Sequence, residues 1–209
     1  MPASWAFPAR SASDFAIDTG GCTNLRRSIL ACGLLLAFAG ISTGLAAAAG
    51  KASTSTGHAR ARTVAYWNHR LRMWRRETWH WQRVMGIPLT PGHARRALAS
   101  TAVARVHGLS GLWHRREHRA WRHAHHPPEL AGWMCIHRYE GAWNDTGGPY
   151  YGGLQMDLSF QETYGHWLFR TKGTADRWTP IEQIWVAVHA WHSRGFSPWP
   201  STARACGLL

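Results

Sequence analysis

The chain has 209 residues, enough for one or two domains, and its 24 Lys and Arg against 11 Asp and Glu give a formal charge of +13. A uniformly basic protein is excluded: residues 58–126 hold 14 Arg, no Lys and only Glu77 and Glu117, whereas residues 129–209 hold six basic and seven acidic residues. A cationic segment beside a near-neutral one points to an anionic partner, either a cell-wall polyanion, anionic lipid headgroups or nucleic acid.

Residues 1–50 read as an N-terminal tail and an export signal. Arg26-Arg27 precede an apolar run from Ile29 to Gly50, which ends in Ala46-Ala47-Ala48-Ala49 and contains the small-x-small pattern of a cleaved secretory signal. About 20 apolar residues also suffice to span a bilayer, so a retained anchor stays open. The stretch before Arg26 is long for a signal's first region, and the translation start is expected further in. Cys32 lies inside the run and not at its end, where a lipoprotein cysteine belongs. The expected location is secreted or cell-wall associated, or membrane-anchored if the run is kept.

Lys51 to Thr63 is rich in Ser, Thr, Gly and Ala, so residues 51–65 read as a flexible linker. A basic arm, residues 66–126, follows. Trp67, Leu71, Trp74, Thr78, Trp81 and Met85 alternate spacings of four and three, which lays them along one helical face. Arg70, Arg72, Arg75, Arg76 and Arg83 occupy the rest, and Pro88 and Pro91-Gly92 end the helix. A second helical stretch is expected at about 93–107, interrupted by Gly108 and Gly111, and a third basic stretch from Leu112 to His123. Pro127-Pro128 marks the boundary with residues 129–209.

The arm has two readings. One is a helical hairpin or an unpaired amphipathic arm. The other is a surface, residues 66–123, that binds an anionic cell-wall polymer or membrane. Nucleic acid is a third partner class, since Arg can hold phosphates and Trp can stack on bases, but an export signal argues against it. His114-Arg115-Arg116-Glu117-His118 matches the spacing of an inverted zinc-peptidase motif. Flanking arginines repel a metal dication and no third ligand is evident, so no metal site is assigned there or at His123, His125 and His126.

In the C-terminal segment, Glu129 to Tyr139 reads as a helix whose end presents Glu140. Tyr150 to Met156, with Gly152-Gly153, reads as a turn or short strand, and Leu158 to Tyr164 as helical. Thr179-Pro180-Ile181-Glu182 is a helix start with Pro in its first turn. Ile181, Ile184, Trp185, Val188 and Trp191 or His192 form the apolar stripe of that helix, which reads as a core element. Once a signal is removed, Cys135 and Cys206 remain. In an exported protein such a pair is most simply a disulfide, stabilising the fold by about 2–4 kcal/mol. Two free buried thiols are the alternative, and metal binding by two cysteines alone is disfavoured.

The chemistry concentrates in Cys135-Ile-His-Arg-Tyr-Glu140-Gly-Ala-Trp143 and in Tyr150-Tyr151-Gly152-Gly153-Leu154-Gln155. A carboxyl group among apolar and aromatic neighbours is disfavoured as an anion, and one that keeps its proton can serve as a general acid. Indole and phenol rings beside it suit pyranose rings, as sugar-cleaving chemistry requires. These runs, together with Glu182-Gln183-Ile184 and Gly195-Phe196-Ser197-Pro198-Trp199-Pro200 before a final cysteine, resemble the catalytic core of resuscitation-promoting factors. Those are small transglycosylase-like domains that act on peptidoglycan. The resemblance covers roughly residues 129–209. It departs from the family at Cys135, five residues before Glu140 where the family's cysteine directly precedes its glutamate. It departs also at Phe160 and Arg194, where the family's cleft carries a threonine and a glutamine.

The resemblance implies a mainly α, lysozyme-like (α+β) C-terminal core, with Glu140 catalytic and no metal or organic cofactor. The substrate would be peptidoglycan glycan strands, cut at the β-1,4 bond between N-acetylmuramic acid and N-acetylglucosamine. A second acid for a two-carboxylate mechanism would stand ~5–5.5 Å away for retention or ~6.5–9.5 Å for inversion. Asp145, in a turn sequence, and Asp157, which faces either the cleft or the start of the next helix as its cap, are the residues available. The family works with one essential glutamate, its second role taken by the sugar's acetamido group or by ring distortion. Trp143, Tyr150 and Tyr151 are expected to flank the saccharide, with core packing the competing role, above all for Trp143. Gln155 is expected to hydrogen-bond an acetamido or hydroxyl group, while Phe196, Trp199 and Pro200 seal the core near Cys206. A glycan-binding module that does not cut, and a cationic membrane-active protein driven by residues 66–123, are the alternatives.

Overall fold

The computed structural model describes residues 45–92 and 101–209, and of residues 45–55 only the backbone. These residues are mainly helical, as expected. In chain order come α1 (Leu45–Val84), α2 (Val103–Ala124), α3 (Leu130–Glu140), β1 (Tyr150–Tyr151), β2 (Met156–Asp157) and α4 (Leu158–Lys172). A 3-10 turn (Ala175–Arg177), α5 (Pro180–Arg194) and α6 (Pro200–Ala205) complete it. The apolar run expected to be a signal lies outside the described residues, except for Leu45–Gly50, which begin α1. Among the described residues no helix is long and apolar enough to cross a membrane.

The expected flexible linker, residues 51–65, is instead part of α1, which runs unbroken for 40 residues. Ser and Thr weaken a helix by only a few tenths of a kcal/mol each. Here Thr63 spends its hydroxyl on the carbonyl of Ala59, one turn back, at 3.0 Å. α2 begins only at Val103, beside residue 63 in the register of Trp67 with His107, and residues 56–62 are all exposed, so this stretch continues the helix on its own backbone bonds.

α1 and α2 run parallel, so they are not a hairpin. Trp67 meets His107 with ring centroids 4.2 Å apart, and seven residues on in both helices Trp74 meets His114 at 4.4 Å. Near their ends Trp81 meets His125 at 5.0 Å. The α1 face read from the sequence is half of the seam. The other half is Val106, Ser110, Trp113, Glu117, Ala120 and Ala124, all buried and again spaced four and three. That is the 3.5-residue repeat of a two-stranded coiled coil. Parallel neighbours cannot be joined by a tight turn, so the chain must first double back. Gly86, at φ 68°, ends α1. Gln82 then clasps Thr90, its Nε2 donating to Thr90 Oγ1 at 2.7 Å and its Oε1 accepting from the Thr90 N–H at 2.9 Å.

Gly108 and Gly111 do not interrupt the second helix. Both lie off the seam, and a Cβ on Gly108 would meet nothing within 4 Å. Their cost is the ordinary ~1 kcal/mol per helical glycine, which the buried seam outweighs. Of the stretch expected at 93–107, residues 93–100 lie outside the described residues, and the helix that is described begins at Val103.

Pro127-Pro128 is not a packing boundary. Trp81, Val84, Met85, Ala120 and Ala124 of the basic helices share one buried cluster with Trp133, Ile136, Ile184 and Trp185 of the C-terminal segment. Trp185 Nε1 donates to the Ala124 carbonyl at 2.7 Å, and His80 Nε2 lies 3.0 Å from Glu182 Oε1. α5 is the centre of this core, with Ile181 to Val188 all buried. It opens as its sequence predicts. Thr179 accepts from the Glu182 N–H, Glu182 accepts from the Thr179 N–H, and Pro180 holds the first turn. Cys135 and Cys206 form a disulfide that ties α3 to the end of α6, their Cα atoms 6.0 Å apart.

Candidate active site

α3 ends at Gly141, whose φ of 156° lets the chain leave the helix and stops Glu140 as its last residue. Glu140 is half-buried, and its Oε1 accepts a 2.8 Å hydrogen bond from Thr202 Oγ1 on α6. The disulfide joins the same two elements. Cys135 lies in the same helix as Glu140, and Cys206 follows Thr202 by four residues. One covalent link thus clamps together the two helices that carry this pair.

The pair opens onto a cavity of about 340 Å³, walled by Tyr150 and Gln155 on one side and by Pro198, Trp199 and Ser201 on the other. Glu140 is the only acidic residue lining it. Tyr150 is 48% exposed and presents its ring. Trp199 does more than seal the core. Its indole N–H is anchored on the Leu154 carbonyl at 2.7 Å while the side chain also forms cavity wall.

Gln155 sits with φ 47°, in the left-handed region that few non-glycine residues occupy. Its Nε2 donates both to Asp145 Oδ2 at 2.8 Å and to the Gly152 carbonyl at 3.0 Å. Both amide hydrogens are therefore committed, and only the side-chain oxygen remains to offer a ligand. Gln155 is an acceptor here, suited to an amide N–H or a hydroxyl.

Three of the sequence-predicted contacts lie elsewhere. Trp143 is buried, stacked on His137 with centroids 3.9 Å apart, and belongs to the core. Tyr151 packs against the core, because alternate residues of a strand face opposite ways and Tyr150 takes the cavity side. Asp157 caps α4, accepting from the Phe160 N–H at 2.7 Å, and does not line the cavity. Asp145 divides its carboxylate between the Gly147 N–H and Gln155, so it positions the wall. Phe160 packs on Tyr164 and Trp199, Arg194 is exposed at the end of α5, and neither lines the cavity.

The wall is held from behind by Gln183 on α5, which is completely buried. Its Oε1 accepts from the Gly153 N–H at 2.8 Å, and its Nε2 reaches the carbonyls of Trp143 and Ala175 at 2.7 and 2.8 Å. This close approach explains the paired glycines. A Cβ on Gly152 would lie 2.5 Å from Gln183 Oε1, and one on Gly153 would lie 2.6 Å from both His137 Nδ1 and Trp143 Cε3. His137 Nδ1 pairs with the Gly153 carbonyl at 3.1 Å and so carries the hydrogen. Burial holds the His137 pKa below the usual imidazole value, against the opposing effect of that bond.

Sequence reasoning missed Thr202, Ser201 and Pro198 at the cavity, and Gln183 behind it. Nothing in Pro200-Ser-Thr-Ala marks a hydroxyl aimed at a residue so distant in the chain. In the His114 to His118 run, His114 meets the Trp74 ring at 4.4 Å between centroids and Glu117 is buried in the seam. No protein-family model and no curated protein matches this chain.

Proposed function

We propose that this protein cleaves peptidoglycan glycan strands at the β-1,4 bond between N-acetylmuramic acid and N-acetylglucosamine, through its lysozyme-like C-terminal core. The observation that carries this reading is Glu140, the one acid on its cavity, fixed by Thr202 beside the ring of Tyr150 and the acceptor of Gln155. A single carboxyl group so placed suits one residue acting in turn as acid and base.

Glu140 first gives its proton to the bridging oxygen as the glycosidic bond breaks, so that the departing sugar leaves as an alcohol. The positive charge growing at the anomeric carbon is met by the sugar's own acetamido group, since Asp145 and Asp157 are engaged in the wall and in a helix cap. The Glu140 carboxylate then takes a proton, either from water, which yields a reducing end, or from the sugar's own hydroxyl, which closes an anhydro ring. Tyr150 supplies a face for a pyranose ring.

Glu140→Gln is the test. Muropeptide release from purified peptidoglycan should disappear while sedimentation with the walls persists. If the wild-type chain releases nothing and still sediments, the fold grips glycan without cutting it, and the catalytic reading fails.

A further inference from the structure

We propose that the outer faces of α1 and α2 form one binding surface for a linear phosphate-bearing polymer, held through its phosphate oxygens. This does not depend on the Glu140 site. The seam sets the geometry. Because seam residues repeat every seven positions, so do the positions opposite them. On α1 that outer line reads Arg62, His69, Arg76 and Arg83, and on α2 Arg115 and Arg122, all exposed. Successive members stand ~10.5 Å apart at the α-helical rise.

No exposed carboxylate opposes these cations among the described residues of the two helices. Glu77 is half-buried and Glu117 fully buried. Repulsion among so many like charges is relieved when an anionic chain settles along them. Every basic side chain in residues 58–126, histidine apart, is Arg. The guanidinium's planar fork meets two oxygens of a phosphate at once, which an ammonium cannot do. The gain from released counterions is largest on a chain whose charges are dense enough to condense them, as phosphates are.

Two other occupants fit less well. A helix that lies in a bilayer needs a free apolar face. Here that face is the seam itself, and among the described residues of these helices only Tyr66 is a large exposed hydrophobic. Base stacking needs open aromatic faces. Trp67 and Trp74 are already against His107 and His114, and Trp79 lies under Arg75.

The test titrates fluorescein-labelled linear inorganic polyphosphate with the full chain and follows anisotropy across a salt series. Binding should weaken steeply with salt. Replacing Arg62, Arg76, Arg115 and Arg122 together by Gln should weaken it by about 100-fold or more and flatten the log–log salt slope by about 3. The same four as Lys should keep the wild-type slope and bind several-fold more weakly. This second variant decides the matter even if the first melts early. Any of four results overturns the proposal. They are wild-type binding by the Gln variant, polyglutamate of equal charge bound as tightly as polyphosphate, oligothymidylate bound where polyphosphate is not, and anionic phospholipid vesicles bound more tightly with a blue shift of tryptophan emission.

Discussion

Thr202 Oγ1 donates a 2.8 Å hydrogen bond to Glu140 Oε1, although 62 residues separate the two in the chain. The bond ties one carboxyl oxygen of Glu140 to α6 at the edge of the cavity. It joins two helices that a disulfide already holds together. Removing the hydroxyl with Thr202→Val should lower muropeptide release about 5- to 10-fold, as expected for one hydrogen bond of about 1 kcal/mol. Thr202→Ser should restore most of it. Product counting by chromatography, with thermal melts of both variants, separates this from loss of fold.

Cys135→Ser with Cys206→Ser should destabilise the fold by about 4 kcal/mol, since the loop released spans 71 residues. Because the clamp also joins the elements that carry Glu140 and Thr202, release from peptidoglycan should fall more than the fraction unfolded accounts for. Urea titration and activity on one preparation check both. Activity that tracks the folded fraction alone would deny the clamp its positioning role.

Glu182 is buried under His80 and Lys172. Burial alone would raise its pKa, but hydrogen bonds from His80, Lys172 and the Thr179 N–H, with the Lys172 charge, outweigh it and hold it at about 2. A carboxyl group depressed in the folded state contributes stability above its unfolded pKa and loses it as pH falls. The loss should run from about pH 4.5 down to about 2. It should amount to at most about 3 kcal/mol. Glu182→Gln should flatten that stretch of an acid-unfolding profile followed by circular dichroism. Because His80 lies on α1, the variant should also loosen α1 from the core, read as faster amide exchange around residue 80.

Gly153→Ala and Gly108→Ala should act in opposite directions. At Gly153 a methyl group would lie 2.6 Å from His137 and Trp143, both buried, so the melting temperature should drop by several degrees. At Gly108 nothing lies within 4 Å and the backbone is helical, so alanine should stabilise by about 0.5–1 kcal/mol. Calorimetry on both variants tests the packing of two regions at once.

Period and punctuation made much of the fold legible. The alternating four and three spacing identified the buried face of α1, and Thr179-Pro180 with Glu182 identified the start of α5 to the residue. Those signals are local, arising from side chains within a turn of one another. The direction of α2 was not legible, since parallel and antiparallel partners can bury the same stripe. The Ser- and Thr-rich residues 51–65 looked like linker because each such residue weakens a helix by only a few tenths of a kcal/mol, too little to stop one that is already running.

At the candidate site, the sequence placed Glu140 at a helix end, read Tyr150 to Met156 with its two glycines as a turn or short strand, and paired Cys135 with Cys206; that two strands pair there, Tyr150 opposite Asp157, came from the fold. Which aromatic ring meets the cavity was settled by the fold alone. Strand alternation sends Tyr150 outward and Tyr151 to the core, and His137 draws Trp143 inside. Thr202 and Gln183 reach their partners only after the helices pack, because a hydrogen bond across many residues leaves no mark on the spacing of either segment.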